Sequence, residues 1–222
     1  MNRRMLTAPL LGPLRDARVW HDYRRLNALD HAPGGNVHPA TLYGGASLDA
    51  TNGLVLDGLT GSAVVPYTAA LNAPDFSVCF WVNGAEQHGK HLVSRWMNNA
   101  GNQRCWHILT SLSAGVCRPR VLLSANGTSV LRDSTAAVDI VDGTWHHVVV
   151  TYDGTTLAGY RDGVAFAFPA GTAGEVFATS ISPLYVGSVE GASYFGGSFL
   201  GVMLFPRVIA AGEAVALAAG GF

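Results

Sequence analysis

The chain is short of charge, lysine, glutamate and cysteine, and each shortage excludes something. Asp, Glu, Lys and Arg make up 13% of its 222 residues, against about 25% in an ordinary soluble domain. Part of its surface is therefore expected to lie against other subunits or partners. Lys90 is the only lysine, and the net charge is −1. No basic footprint for nucleic acid is present. The glutamates are Glu86, Glu175, Glu190 and Glu213. No Glu-x-Asp-x-Glu run exists to line up carboxylates on one strand face, as hydrolysis of a glycosidic bond requires. No Gly-x-Ser-x-Gly elbow places a nucleophilic serine. The three cysteines, Cys79, Cys105 and Cys117, are odd in number and untidily spaced, which argues against a secreted disulfide framework. No apolar run is long enough to cross a membrane. The opening "MNRRMLTAPLLGPLRDAR" imitates an export signal, but its apolar part is short, broken by Pro9 and Pro13, and followed by Arg15 and Arg18. The expectation is a chain made in a cytoplasm and not exported by the usual route.

What is present is apolar and punctuated. Hydrophobic residues reach 49%, with 27 glycines, so disorder is excluded. Short runs suited to strands recur at 53–56, 63–66, 76–82, 91–96, 105–112, 117–124, 145–152, 156–161, 164–168, 184–187 and 198–205. Asn126-Gly127, Asp153-Gly154 and Asp162-Gly163 readily take the positive φ angles of tight turns. Many short strands between such turns read as a sandwich or barrel. One helix is expected, in "AGEAVALAA" near the C-terminus. In "DGTWHHVVVTYDG", alternation puts Trp145, His147 and Val149 on one face and His146, Val148 and Val150 on the other. Adjacent strand histidines point apart, so the pair is expected to be structural and the strand central, covered on both faces.

"DGTWHHVVVTYDGTTLAGYRDGV" resembles the most recognisable stretch of laminin-G-like, concanavalin A-like lectin/glucanase domains. "GLVLDGLTGSAVVPYTAALNAPDFSVCFWV", "HLVSRW" and "PLYVGSVEGASYFGGSFLGVMLFPRVIAAGEAVAL" resemble further pieces, in the family's order. The resemblance covers about residues 18–222 and leaves 1–17 as an N-terminal arm. It implies an all-β jelly-roll sandwich of two antiparallel sheets with one short C-terminal helix. It also raises a calcium site: Asp30 and Asn36, in "DHAPGGN", match a loop that often supplies oxygen ligands. Leu200 and Gly201 stand where many relatives carry an acidic pair, and calcium needs about six to eight oxygens. No metal is therefore favoured.

Three functions remain open. One is a non-catalytic structural or interaction protein of a large assembly, such as a decoration, capsid-stabilising or tail-associated component on a phage virion. The second is a lectin module that binds a glycan. The third is a degenerate glycoside hydrolase. The expected partners are protein subunits, in a homo-oligomer or with capsid or tail proteins, and a glycan. The best binding candidate is "SRWMNNAGNQRCW". There Trp96 and Trp106 offer flat faces, and Arg95, Asn98, Asn99, Asn102 and Arg104 offer hydrogen bonds; both tryptophans also sit at strand ends, where they can be core. In the arm, Met5, Leu6, Leu10 and Leu11, with Arg3 and Arg4, would dock on a neighbouring subunit, unless the terminus is simply frayed.

Overall fold

The computed structural model describes residue 14 and residues 16–33, 38–99 and 101–220. Its strands are β1 (Val19–Asp22), β2 (Thr41–Tyr43), β3 (Ser47–Asp49), β4 (Gly53–Asp57), β5 (Ser62–Val65), β6 (Phe76–Asn83), β7 (His91–Arg95) and β8 (Arg104–Ser113). They continue with β9 (Val116–Gly127), β10 (Arg132–Thr135), β11 (His146–Tyr152), β12 (Leu157–Arg161), β13 (Val164–Ala167), β14 (Leu184–Val186) and β15 (Gly196–Phe205). The helix α1 (Ala211–Gly220) follows. All pairings between these strands are antiparallel. One sheet runs β13-β12-β11-β6-β15-β4-β3, with β1 also paired to β15; the other runs β10-β9-β8-β7-β14-β5-β2. This is the expected jelly-roll sandwich.

The inner faces alternate apolar residues into the space between the sheets. Val78, Phe80 and Val82 of β6 and Val148, Val150 and Tyr152 of β11 meet Trp106 and Ile108 of β8 and Val121 and Leu123 of β9. Each such side chain, fully buried, contributes roughly 1.5–3 kcal/mol. The larger sheet has a second apolar face. Trp20, Cys79, Val149, Met203 and Phe205 point away from the main core and are covered by Leu14, Ala17, Ile209, Ala214 and Leu217. That second layer explains why all seven residues of β11 are buried, and why its sequence is apolar on both faces.

The eleven strands expected from the sequence form, with ends within three residues. Four were not foreseen. β1 (VWHD) is buried throughout and shows no alternation. β2 and β3 have three residues each. β10 reads RDST and carries no apolar residue. Of the three expected turns, only Asp162-Gly163 is a two-residue hairpin, with φ of 54° and 82°. Gly127 instead ends β9, and the Asn126 amide oxygen accepts the N–H groups of Thr128 and Ser129 in a wider loop. Asp153 organises the β11–β12 loop in the same way, through the N–H groups of Thr155 and Thr156. Of the N-terminal arm, residues 1–13 lie outside the described residues; Leu14 and Ala17 are buried against the domain itself.

Candidate functional site

The loop joining β7 to β8 and the strand ends that flank it carry the glycan-binding candidates that the sequence nominates, and the structure divides them into two groups. Arg95 and Trp106 turn inward, contrary to a ligand-binding role. Arg95 is fully buried. Its guanidinium donates to Leu71 O at 2.6 Å, Asn72 Oδ1 at 2.9 Å, Ser180 O at 3.0 Å and Ser182 O at 3.2 Å. It clamps two loops at the sandwich rim. Trp106 is stacked on Phe76 in the core, with centroids 4.9 Å apart. Strand alternation puts both on the inner face, where the demand for apolar volume and carbonyl partners outweighs a surface role.

Trp96 lies on the outer face of the smaller sheet, but its ring is not open to a sugar. His107 of β8 stacks on it at 4.3 Å, nearly parallel, and the Arg104 guanidinium lies over the ring at 5.7 Å. With 4% of Trp96 exposed, no flat face is left. The tryptophan instead stiffens the loop. Its indole N–H donates to Asn98 Oδ1 at 3.1 Å, and Arg104 Nε donates to the same oxygen at 2.7 Å. Arg104 also donates to Thr128 O. Glu190, from the loop before β15, accepts the main-chain N–H groups of Asn98 at 2.7 Å and Asn99 at 3.1 Å. The outcome is a braced loop whose exposed members include Asn98, Asn99 and Asn102. Asn102 holds a left-handed φ of 58°, a conformation that Asn tolerates better than most residues.

Beneath the loop, His107 and His91 are each 7% exposed, with ring centroids 4.8 Å apart. Burial pushes the His91 imidazole down to about 4. Burial, then His91 and nearby arginines, hold His107 well below the ordinary histidine value. Both rings are therefore neutral at pH 7. Sequence reasoning missed His107 and Glu190. His107 was legible, since it alternates with Trp106 and Ile108 and must face outward; Glu190 lies 92 positions from Asn98 and gave no signal.

The other nominated residues have structural work. The Asp30 carboxylate accepts N–H groups from Trp20 and Ala32, each at 2.9 Å, and from His38 at 3.2 Å. These bonds make it a fold tie joining β1 to the next loop; Asn36 lies outside the described residues. Among the described residues, no group of three or more His, Cys, Asp or Glu is placed to hold a metal. His88 Nδ1 accepts the Leu112 N–H, and His91 packs against His107. His147 is buried beside Trp81. His146 joins two turns, with Nδ1 2.8 Å from Asp162 and Nε2 3.1 Å from Asp142. Hydrogen bonds from Thr144 and then His146 lower the Asp142 carboxyl to about 2. Glu213 is paired with Arg207 at 2.7 Å, and Glu86 and Glu175 lie exposed outside the strands.

Architecture and loop together define a class: a lectin-like jelly-roll domain whose ordered loops sit at the rim and outer face of one sheet. The family model for the concanavalin A-like lectin/glucanases superfamily matches residues 57–214, and the chain belongs to that family. Among solved structures, it is similar to domain 4 of AbnA, a GH43 extracellular arabinanase from Geobacillus stearothermophilus, in complex with arabinotriose. That match has 18% identity and a TM-score of 0.70, covering 91% of this chain and 98% of that one. The binding domain of botulinum neurotoxin DC, in complex with SialylT, matches with 14% identity and a TM-score of 0.69. There 94% of this chain aligns, spanning 52% of that one. Trypanosoma rangeli sialidase matches with 16% identity and a TM-score of 0.60, over 91% of this chain and 32% of that one. No protein of curated function matches the chain's sequence.

Proposed function

We propose that this chain is a non-catalytic recognition module that binds an oligosaccharide at the loop between β7 and β8. The observation that carries this reading is the bracing of that loop. Glu190 fixes its backbone through the N–H groups of Asn98 and Asn99, and Trp96 and Arg104 hold the Asn98 side chain, while the amides of Asn99 and Asn102 stand in solvent. Preorganised polar groups lose little freedom on binding, which favours affinity for weak ligands such as sugars. Asn amides match sugar hydroxyls because each offers both donors and an acceptor. The fold-alike in complex with arabinotriose, and the toxin domain in complex with SialylT, support the ligand class.

The non-catalytic part rests on where the carboxylates go. Asp142 and Asp162 are bridged by His146, Glu190 is spent on backbone N–H groups, and Asp57 accepts the N–H groups of Leu59, Thr60 and Gly61. None is left as a facing acid–base pair on a strand. We further place the module on a larger particle, a phage virion, where it would act in attachment or decoration. The 13% charged content supports a surface partly covered by neighbours, and mass spectrometry of purified particles tests the placement. Glycan binding is tested by an array spanning arabinan and sialylated oligosaccharides, with Asn99→Ala and Asn102→Gly as the variants. Asn102→Gly removes the amide and keeps the left-handed backbone.

A further inference from the structure

Most strand edges of the two sheets are protected, and one is not. β1 is capped by the following segment: Asp30 takes the Trp20 N–H, and the His31 N–H donates to Trp20 O at 2.7 Å. β2 and β3 are three residues long, and β3 ends in Asp49. β10 carries Arg132 and Asp133, the latter paired with Arg120 of β9. These are the usual devices that keep an edge from pairing with another chain. The remaining edge is β13, Val164–Ala167, whose single neighbour among the described residues is β12. It reads Val-Ala-Phe-Ala, and no charged residue occurs from Gly163 to Gly174. Val164 is 72% exposed, and Val215 of α1, beside Gly163, is 51% exposed.

The register shows which main-chain groups are spare. The turn Asp162-Gly163 makes Arg161↔Val164 the first pair of the β12–β13 ladder, followed by Tyr160↔Ala165 and Gly159↔Phe166. In an antiparallel ladder closed by a two-residue turn, the flanking pair exchanges hydrogen bonds and the next pair does not. The N–H and C=O groups of Ala165 and Ala167 therefore point away from β12.

We infer that β13 is an interface for a second copy of this chain, which adds its own β13 antiparallel across a two-fold axis and makes the two larger sheets continuous. The strand is self-complementary in this sense. Centred on Phe166, the axis sets Ala165 opposite Ala167 of the copy, so that the spare groups on each side satisfy the other. No like charges meet, since the segment has none. The small side chains of Ala165 and Ala167 allow close approach, and an isologous contact of this kind closes as a dimer. Val164 and Val215 flank the junction and would add apolar burial.

Sedimentation velocity and light scattering on the full chain, over a range of concentrations, test this directly. The expected mass is twice 23.3 kDa. Ala165→Pro removes only an outward N–H, which an edge strand tolerates; Ala167→Lys puts a charge on the exposed edge. Both variants should be monomeric, with melting temperatures close to that of the parent monomer. Hydrogen exchange of the parent should show the Ala165 and Ala167 amides protected in the dimer, a readout that holds even if a variant fails to fold. A parent that stays at 23.3 kDa, a dimer that survives both substitutions, or unprotected Ala165 and Ala167 amides in a dimer would each overturn the inference. Glycan binding is read separately per site, and the monomeric variants should retain it.

Discussion

Mild acid should destabilise this protein through its buried histidines. Burial holds His91 and His147 near 4, against an ordinary value of 6.5. The depressed value means that the folded state binds fewer protons than the unfolded chain between those limits. Stability is therefore full above pH 6.5 and falls as pH drops toward 4, by about 1.4 kcal/mol per pH unit for each histidine. At about pH 5 each group has cost roughly 2 kcal/mol, or about 4 kcal/mol for the two. For a chain of this length that lowers the melting temperature by roughly 8–16 °C. His107 and His21 are shifted in the same direction by burial and steepen the fall. The lowered carboxyl of Asp142 acts only further into acid. Urea melts followed by tryptophan fluorescence at pH 7.5, 6.5, 5.5 and 5 give the slope. His91→Gln removes one titrating group and should flatten it by about 1.4 kcal/mol per unit. Equal urea midpoints at pH 7 and pH 5 would show that these imidazoles are not buried and neutral, because such groups cannot be indifferent to protonation of the unfolded chain.

Arg95→Met should cost about 3 kcal/mol or more, since it strands the carbonyls of Leu71, Ser180 and Ser182 in the interior, each at about 1–3 kcal/mol; denaturant melts read this, and glycan affinity of the folded variant should not change. Asp30→Ala should destabilise by about 1–3 kcal/mol through the orphaned N–H of Trp20, whereas millimolar calcium or a chelator should leave the parent's melting temperature in place. A clear calcium-dependent rise would show that other oxygens complete a site. Incubation with β-glucans or arabinan should release no reducing sugar; release abolished by Asp142→Asn or Asp162→Asn would restore the hydrolase reading.

The sandwich was legible because its signals are local. Alternation in "FSVCFWV" and "HHVVVTY", and Asp-Gly at 162–163, follow from period-two packing and from backbone sterics. β1 was not legible because it is buried on both faces and so lacks a period. β10 was not legible because its Arg132 is satisfied by carbonyls of distant loops, Thr155 O and Pro169 O. The site was only half legible. Composition marked the loop at 96–104 for its amide groups beside Trp96, but it could not say which way each residue faces. Arg95 and Trp106 differ from Trp96 and Arg104 only in strand parity and in the ladder irregularities near His91 and Arg104. Such a shift moves a side chain from the surface to the core without leaving a mark in the sequence.

The proposed role of the braced loop is to present amides to a sugar. Its most direct test is titration calorimetry of the parent chain with the best oligosaccharide from the array, beside the double variant Asn99→Ala, Asn102→Gly. The parent should bind saturably and the variant should lose at least tenfold in affinity, about 1.4 kcal/mol, with an unchanged melting temperature. Equal affinity in the two proteins, or no glycan bound by the parent at millimolar concentration, would contradict it.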